Sequence, residues 1–274
     1  MRARQVILLE YPVDSRPRYG HGRPVHPELY ELLNRGRRDY AALLTRFCDF
    51  REHFTRIELH ARRDVPDPGW INGYLPALDA IALYGLLALN NPARYVEIGA
   101  GHSTRFARRA VRDHGLRTAI TSIDPAPRAS VDAIADRVIR RPLEALDLSL
   151  LDELSSGDVL FYDGSHRCFM NSDVTVFFLE VLPRLPPGVL VHVHDITLPH
   201  DYPPEYAERY YSEQYLLACW LLAAAPSHPR WRVVLPNAFV TQDAELLGTL
   251  DPVWNEPALA GVGRYGGSFW MELC

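Results

Sequence analysis

Short apolar runs alternate with segments of helical period along most of the chain, from residue 76 onward. The runs are nearly continuous in apolar residues, which is typical of parallel strands that helices cover on both faces. Strands that alternate with helices predict right-handed crossovers and a doubly wound, mainly parallel α/β sheet. The predicted strands cover residues 95–99, 118–124, 138–140, 158–163, 189–195, 231–235 continued at 239–241, and 268–273. The predicted helices cover residues 76–89, 103–113, 128–136, 146–154, 172–185 and 205–225.

The first 70 residues differ in pattern, because prolines, arginines and glycines interrupt the apolar positions there. A short strand is possible at 6–10, and two helices are predicted at 28–34 and 38–60. A cluster of proline, glycine and aspartate then separates them from the alternating region. We therefore predict an N-terminal helical cap at 1–70 and an α/β domain at 71–274.

Composition excludes several classes of protein. The 274 residues carry a net charge of −5, which is no footprint for nucleic acid or an anionic membrane. No apolar run approaches the roughly 18–20 residues of a membrane span, and the N-terminal run is too short for a secretory signal. The four cysteines form no CxxC pair, which favours a reducing compartment. We expect a cytoplasmic protein without nucleic-acid or membrane partners, and a homo-oligomer is possible.

The most informative stretch is 94–104, which reads Arg-Tyr-Val-Glu-Ile-Gly-Ala-Gly-His-Ser-Thr. An apolar run that contains Glu97 breaks at Gly99 and Gly101 and continues into a helical pattern. Glycine has no Cβ, so a ligand can approach such a turn closely. The first helical turn adds unpaired N–H groups at the same place. This unit predicts a binding site for a cofactor.

The order Glu-x-Gly-x-Gly, followed by Asp124 at the end of the next strand, resembles the class I S-adenosylmethionine-dependent methyltransferases. A dinucleotide-binding turn would carry a third glycine where this chain has Thr104. The resemblance covers about residues 75–273 and implies a Rossmann-like, seven-stranded methyltransferase fold. It implies that Gly99 and Gly101 pass close to the methionine part of S-adenosyl-L-methionine and that Asp124 binds the ribose hydroxyls.

The same resemblance implies roles for residues around this turn. Glu97 would orient the loop or meet the amino group of the cofactor. Ser103 and Thr104 would lie in the first helical turn, where open N–H groups suit a carboxylate.

Two later segments resemble a smaller group within this family. Asp-Val-Leu-Phe-Tyr-Asp-Gly-Ser-His from residue 158 and Pro-Gly-Val-Leu-Val-His-Val-His-Asp from residue 187 are similar to small-molecule O-methyltransferases of the methyltransferase-24 type. In metal-dependent members, acids after the fourth and fifth strands hold a divalent cation, and Asp163 and Asp195 match those places. His194 departs from the oxygen ligands that magnesium prefers, so Mg, Mn, Fe and Zn all stay open.

Histidines and aromatic residues near these strand ends are the candidates for chemistry on a substrate. His166 follows Asp163 by three residues and is either a general base or a metal ligand. His192, deeper in its strand, is expected to pack in the core. The proline- and tyrosine-rich segment after Asp195 is either packed helix or a lid over an apolar or aromatic substrate, and Tyr202 and Tyr206 stay open.

These observations predict an S-adenosylmethionine-dependent methyltransferase that acts on a small molecule, most simply at a hydroxyl. His166 and Asp163 are the predicted catalytic residues, and Asp163 is also one of the predicted cofactor-binding residues. Asp163, His194 and Asp195 are the predicted ligands if a metal binds. The alternatives are a 2-His-carboxylate metal enzyme of another class and a cofactor-binding protein without turnover.

Overall fold

A computed structural model describes residues 6–62, 65–127, 129–223 and 230–274. Seven strands form one sheet in the order β3-β2-β1-β4-β5-β7-β6, in which the pairings of β7 are antiparallel and the others are parallel. The predicted doubly wound α/β fold is confirmed. The strands are β1 Arg94–Ile98, β2 Ala119–Ile123, β3 Arg137–Ile139, β4 Val159–Tyr162, β5 Leu190–Val193, β6 Trp231–Pro236 and β7 Phe269–Leu273.

Helices pack against the sheet, and those of the N-terminal segment share its core. The α-helices are α1 Pro27–Asn34, α2 Arg37–Phe47, α3 Arg51–Phe54, α4 Ala77–Asn90, α5 His102–His114, α6 Asp173–Val176, α7 Glu213–Ala223, α8 Asn237–Gln242, α9 Ala244–Gly248 and α10 Asp251–Trp254. Apolar residues of α1 and α2, such as Leu33 and Leu44, are fully buried and belong to the same core as the sheet. The cap therefore packs on the sheet domain, and a boundary at residue 70 stays a prediction.

The central strands bring the predicted site together because β1 lies between β2 and β4. The backbone N–H of Gly99 donates to Ile123 at 2.9 Å, and that of Asp163 donates to Ile98 at 2.8 Å. The carboxyl ends of these three strands therefore meet at one edge, where ligands bind in open parallel sheets.

Three helix predictions are wrong in part. Residues 148–153 form a 3-10 helix rather than an α-helix. The predicted helix at 172–185 changes to π and then 3-10 geometry after Val176, close to Pro183, which cannot donate a helical hydrogen bond. In the described part of 128–136 there is a single turn, because Asp136 already bonds to Ile120 ahead of β3.

Three further predictions fail, two of them in the C-terminal half and one near the N-terminus. The strand predicted at 239–241 is the helix α8, which begins directly after Pro236 and packs Phe239 against Tyr40. The helix predicted at 205–225 is divided, because the backbone at Tyr210 is left-handed, with φ 52°. Residues 6–10 form no strand, and 224–225 lie outside the described residues.

Among the residues that the structure describes, no helix combines the length and apolar character needed to cross a membrane.

Candidate functional site

The glycine turn after β1 is packed against the end of β4. Gly99 has φ 85°, a conformation that favours glycine, and a Cβ built there would lie 1.8 Å from the carbonyl oxygen of Asp163. A Cβ at Gly101 would meet no atom within 4 Å. The turn therefore approaches β4 closely at Gly99 and leaves open space at Gly101.

Glu97 supports this turn from beneath. Its buried carboxylate accepts hydrogen bonds from Thr104 Oγ1 and, at 2.9 Å, from the hydroxyl of Tyr95. Thr104 Oγ1 in turn accepts the backbone N–H of Gly101 at 3.1 Å. Burial raises the pKa of Glu97 to about 7, although hydrogen bonds from Ser103, Thr104 and Tyr95 oppose that rise. Of the two roles expected for Glu97, this geometry provides the orientation of the loop.

A cavity of about 340 Å³ opens beside the turn. Its lining includes Gly99, Gly101, Ser103, Asp124 and Asp163 of the predicted cofactor residues, together with Tyr74, His102, Leu143 and Ser165. Glu97 and Thr104 lie behind this lining.

Asp124 forms one wall of the cavity. Its carboxylate accepts the backbone N–H groups of Ala100 at 2.9 Å and Ala126 at 2.7 Å. These two bonds fix the orientation of the side chain. Each carboxylate oxygen has a second lone pair, so the group can also accept hydrogen bonds from a diol.

A second group of side chains lies at the adjoining strand ends, around His166. His166 Nε2 is 3.3 Å from Asp163 Oδ1 and 3.5 Å from Asp195 Oδ2. His194 Nδ1 is 3.8 Å from Asp163 Oδ1 and 3.6 Å from Asp195 Oδ1. The four predicted residues therefore form one cluster, in which each carboxylate faces both imidazoles.

The backbone of this cluster is held in unusual conformations. His166 has φ 62° and Asp195 has φ 53°, both in the left-handed region that residues other than glycine rarely adopt. The carbonyl of His166 accepts the N–H of Ser212 at 2.8 Å, which ties it to the start of α7. Such strain is concentrated at functional sites in proteins, where the surrounding structure maintains it.

Glu213 was not among the predicted site residues, yet it is a direct partner of His166. Its Oε1 hydrogen-bonds to His166 Nδ1, and its side chain is fully buried. A carboxylate on one imidazole nitrogen orients the other nitrogen, here towards Asp163 and Asp195. The signal that could have indicated it is an acid one residue from the apolar run Tyr215–Leu222.

Asp79 was also missed, and it lies behind His194. It is the single acid in the apolar helix α4, is fully buried, and has Oδ2 3.5 Å from His194 Nε2. Its carboxylate also accepts the backbone N–H groups of Gly267 and Ser268, each at 2.9 Å. Asp79 therefore joins α4, the start of β7 and the histidine cluster.

The carboxylates dominate the protonation of both histidines. Burial alone would lower the pKa of His166, but Glu213 and Asp163 raise it well above its usual range. Burial would also lower the pKa of His194, but Asp163, Asp79 and Asp195 raise it to about 10. Burial raises the pKa of Glu213 to about 6, although the adjacent His166 lowers it. The two imidazoles are therefore cations at neutral pH, each among carboxylates.

His192 has the structural role expected of it. Its ring is stacked on Phe161, with centroids 3.6 Å apart, and Nε2 is 2.7 Å from Ser268 Oγ. Burial lowers its pKa well below the usual value, so it is a neutral core residue.

The expectation of a metal at Asp163, His194 and Asp195 finds no support in this geometry. Over the described ranges, no set of three or more histidine, cysteine, aspartate or glutamate side chains has an arrangement that could hold a metal ion. The three side chains are close to one another, but they form histidine–carboxylate ion pairs.

The comparisons with known proteins bear on the segment that carries this site. Residues 96–196 match a family model described as a methyltransferase domain, of the methyltransferase-24 type. This range begins within β1, contains β2, β3, β4 and β5, and includes every predicted site residue. No curated protein matches the chain.

Three solved structures are similar in outline. A methyltransferase from Podospora anserina bound to S-adenosylhomocysteine has 16% identity and a TM-score of 0.44, covering 85% of this chain and 88% of that one. An O-methyltransferase from Bacillus cereus in complex with S-adenosylhomocysteine has 15% identity and a TM-score of 0.42, covering 92% of each chain. The plantazolicin methyltransferase BpumL has 12% identity and a TM-score of 0.43, covering 90% of this chain and 99% of that one.

The family match covers the glycine turn, the acid after β2 and both strand ends that carry the histidine cluster. It agrees with the resemblance that the sequence motifs indicated. Residues 96–196, which carry the site, are therefore similar to a methyltransferase domain.

Proposed function

We propose that this protein transfers the methyl group of S-adenosylmethionine to a hydroxyl of a small molecule. The observation that carries the proposal is that Asp163 belongs to both halves of the site. It lines the cavity beside the glycine turn, and its Oδ1 is 3.3 Å from His166 Nε2. A methyl donor in the cavity would therefore border the only acid–base cluster that the described strand ends bring there.

The cavity residues suit the parts of the cofactor. The open space at Gly101 admits the methionine portion, and the first turn of α5 offers N–H groups to its carboxylate. Asp124, held by two backbone N–H groups, would accept the ribose hydroxyls. The cofactor supplies an electrophilic methyl on a sulfonium, so the protein has to place an acceptor oxygen in line with it.

The cluster around His166 would manage the proton of the acceptor. As the methyl carbon bonds to the acceptor oxygen and its bond to sulfur breaks, the hydroxyl proton has to leave. His166 Nε2 in its neutral form can take that proton, and Glu213 on Nδ1 stabilises the resulting cation. Asp163 and Asp195, about a quarter exposed, can accept a hydrogen bond from the hydroxyl and orient it.

Replacing Asp124 by alanine is expected to weaken binding of S-adenosylmethionine by about 10- to 100-fold, since two hydrogen bonds to a charged acceptor are lost. Isothermal titration calorimetry of the wild type and Asp124→Ala measures this. Glu180→Ala, a change of an exposed acid that does not line the cavity, is the control and should bind normally. The proposal fails if the wild type gives no heat with S-adenosylmethionine; binding without methylation of any hydroxyl compound would favour a cofactor-binding protein without turnover.

Replacing Glu213 by glutamine is expected to move the acid limb of the pH profile to lower pH. Glu213 raises the pKa of His166, so the base form of the wild type accumulates only well above pH 6.5. Asp163, Asp195 and the ring of Tyr211 also face His166, and they stay in place. Loss of one adjacent negative charge lowers a histidine pKa by about 1 unit or more.

The measurement is kcat/KM from pH 6 to 10 for the wild type, for Glu213→Gln and for the control Glu205→Gln, whose side chain is exposed. An acid limb that coincides in all three proteins would show that His166 is not the titrating base.

A further inference from the structure

Two arginines are stacked on tyrosine rings directly above His166. The ring centroid of Tyr211 is 4.5 Å from that of His166. The guanidinium of Arg167 lies 5.2 Å from the Tyr211 centroid. That of Arg209 lies 3.9 Å from the centroid of Tyr206 and 5.6 Å from that of Tyr211. Since His166 is buried, Arg167 half-buried and Arg209 exposed, the stack leads outward from the acid–base cluster.

The two guanidinium charges are not neutralised by the protein. Within the described part of the chain, neither Arg167 nor Arg209 lies within 4 Å of a carboxylate. Arg167 donates instead to two backbone carbonyls, from Nε to Arg209 at 2.8 Å and from Nη1 to Ser165 at 3.1 Å. The carboxylates lie deeper, around His166. The site is therefore acidic inside and basic at its outer edge.

This polarity selects the orientation of a bound molecule. An anionic group would be repelled by the inner carboxylates and attracted by the outer guanidinium groups. A guanidinium has five N–H donors in a planar arrangement that matches a carboxylate. The bonds from Nε and Nη1 of Arg167 leave its Nη2 group to donate, and Arg209 is exposed. The rings of Tyr206 and Tyr211, both half-buried, offer apolar surface between the two ends.

We propose that the acceptor substrate is an aromatic hydroxy acid. Its hydroxyl lies at Asp163, His166 and Asp195, its ring lies against Tyr206 and Tyr211, and its anionic group binds Arg167 and Arg209. This inference rests on the proposed function and adds the chemical class of the substrate to it.

The test compares acids with neutral partners of the same shape. Hydroxybenzoate and hydroxycinnamate, each beside its primary amide, are titrated into protein saturated with S-adenosylhomocysteine and are then assayed as methyl acceptors. We expect each acid to bind at least 10-fold more tightly than its amide. We expect Arg209→Ala, and more strongly Arg167→Ala with Arg209→Ala, to remove that preference by raising KM with little change in kcat.

Arg38→Ala, a change of an exposed arginine on α2, is the matched control and should keep the preference. Equal affinity for acid and amide, or a preference that persists in the double variant, overturns the inference while leaving methyl transfer intact. Absence of S-adenosylhomocysteine binding would instead contradict the proposed function itself.

Discussion

Replacing His166 by asparagine is expected to lower kcat for methyl transfer by about 100- to 10,000-fold while S-adenosylmethionine still binds. A positioned general base contributes about that much to the rate. His166 does not line the cofactor cavity, so the affinity for the cofactor should change little. Asparagine is the chosen replacement because it tolerates the left-handed backbone found at this position, φ 62°. The measurements are single-turnover methylation and cofactor calorimetry on the same samples.

His114→Asn, a change of a histidine at the far end of α5, serves as the control for loss of an imidazole as such. The wild type and both variants should also be assayed after exhaustive treatment with a chelator. Because the described histidines and acids form ion pairs and no metal-holding group, the wild-type rate should survive chelation. The opposite result would be stoichiometric metal in the protein, with activity that is lost on chelation and restored by adding the metal. The group that activates the hydroxyl would then be a metal ion and not His166.

Replacing Gly99 by alanine is expected to destabilise the protein by about 3 kcal/mol or more and to abolish cofactor binding. The added Cβ would lie 1.8 Å from the carbonyl oxygen of Asp163, a backbone atom that cannot move without displacing β4. Overpacking of this kind typically costs about 1–3 kcal/mol, and the left-handed backbone adds about 1–2 kcal/mol for a residue with a Cβ. Urea denaturation of the purified variant measures the loss.

Gly157→Ala separates these two contributions. Gly157 has nearly the same backbone, with φ 87°, but a Cβ there meets no atom within 4 Å. We expect a cost of about 1–2 kcal/mol and normal cofactor binding. If the two alanine variants were equally stable, the close approach between β1 and β4 would have no energetic role.

The cofactor half of the site could be predicted from the sequence because its residues follow one another along the chain. A glycine turn after an apolar strand and an acid after the next strand are local signals, and parallel strands bring their carboxyl ends together. The same rule puts Asp163 and Asp195 at one edge of the sheet. The structure brings both His166 and His194 within ion-pair range of these two acids, which the sequence left open.

Asp79 and Glu213 were not predicted as site residues, because they lie on helices and not at the strand ends. Their approach depends on how α4 and α7 pack on the sheet, which no local pattern fixes. The strand expected at 239–241 failed for a related reason: the β-branched and aromatic residues Phe239 to Thr241 suit a strand, but packing of Phe239 on Tyr40 favours a helix. The left-handed residue Tyr210 that divides the predicted helix at 205–225 carries no composition signal.

The antiparallel strand β7 has a consequence for the order in which the protein can mature. Every residue that lines the cofactor cavity precedes residue 174, so a nascent chain holds all of that lining early. The amides that fix Asp79, and through it the surroundings of His194, come from Gly267 and Ser268, which the ribosome adds much later. A growing polypeptide thus contains the whole lining of the cavity, and the clustered side chains up to Glu213, before it contains the amides that hold Asp79 behind His194.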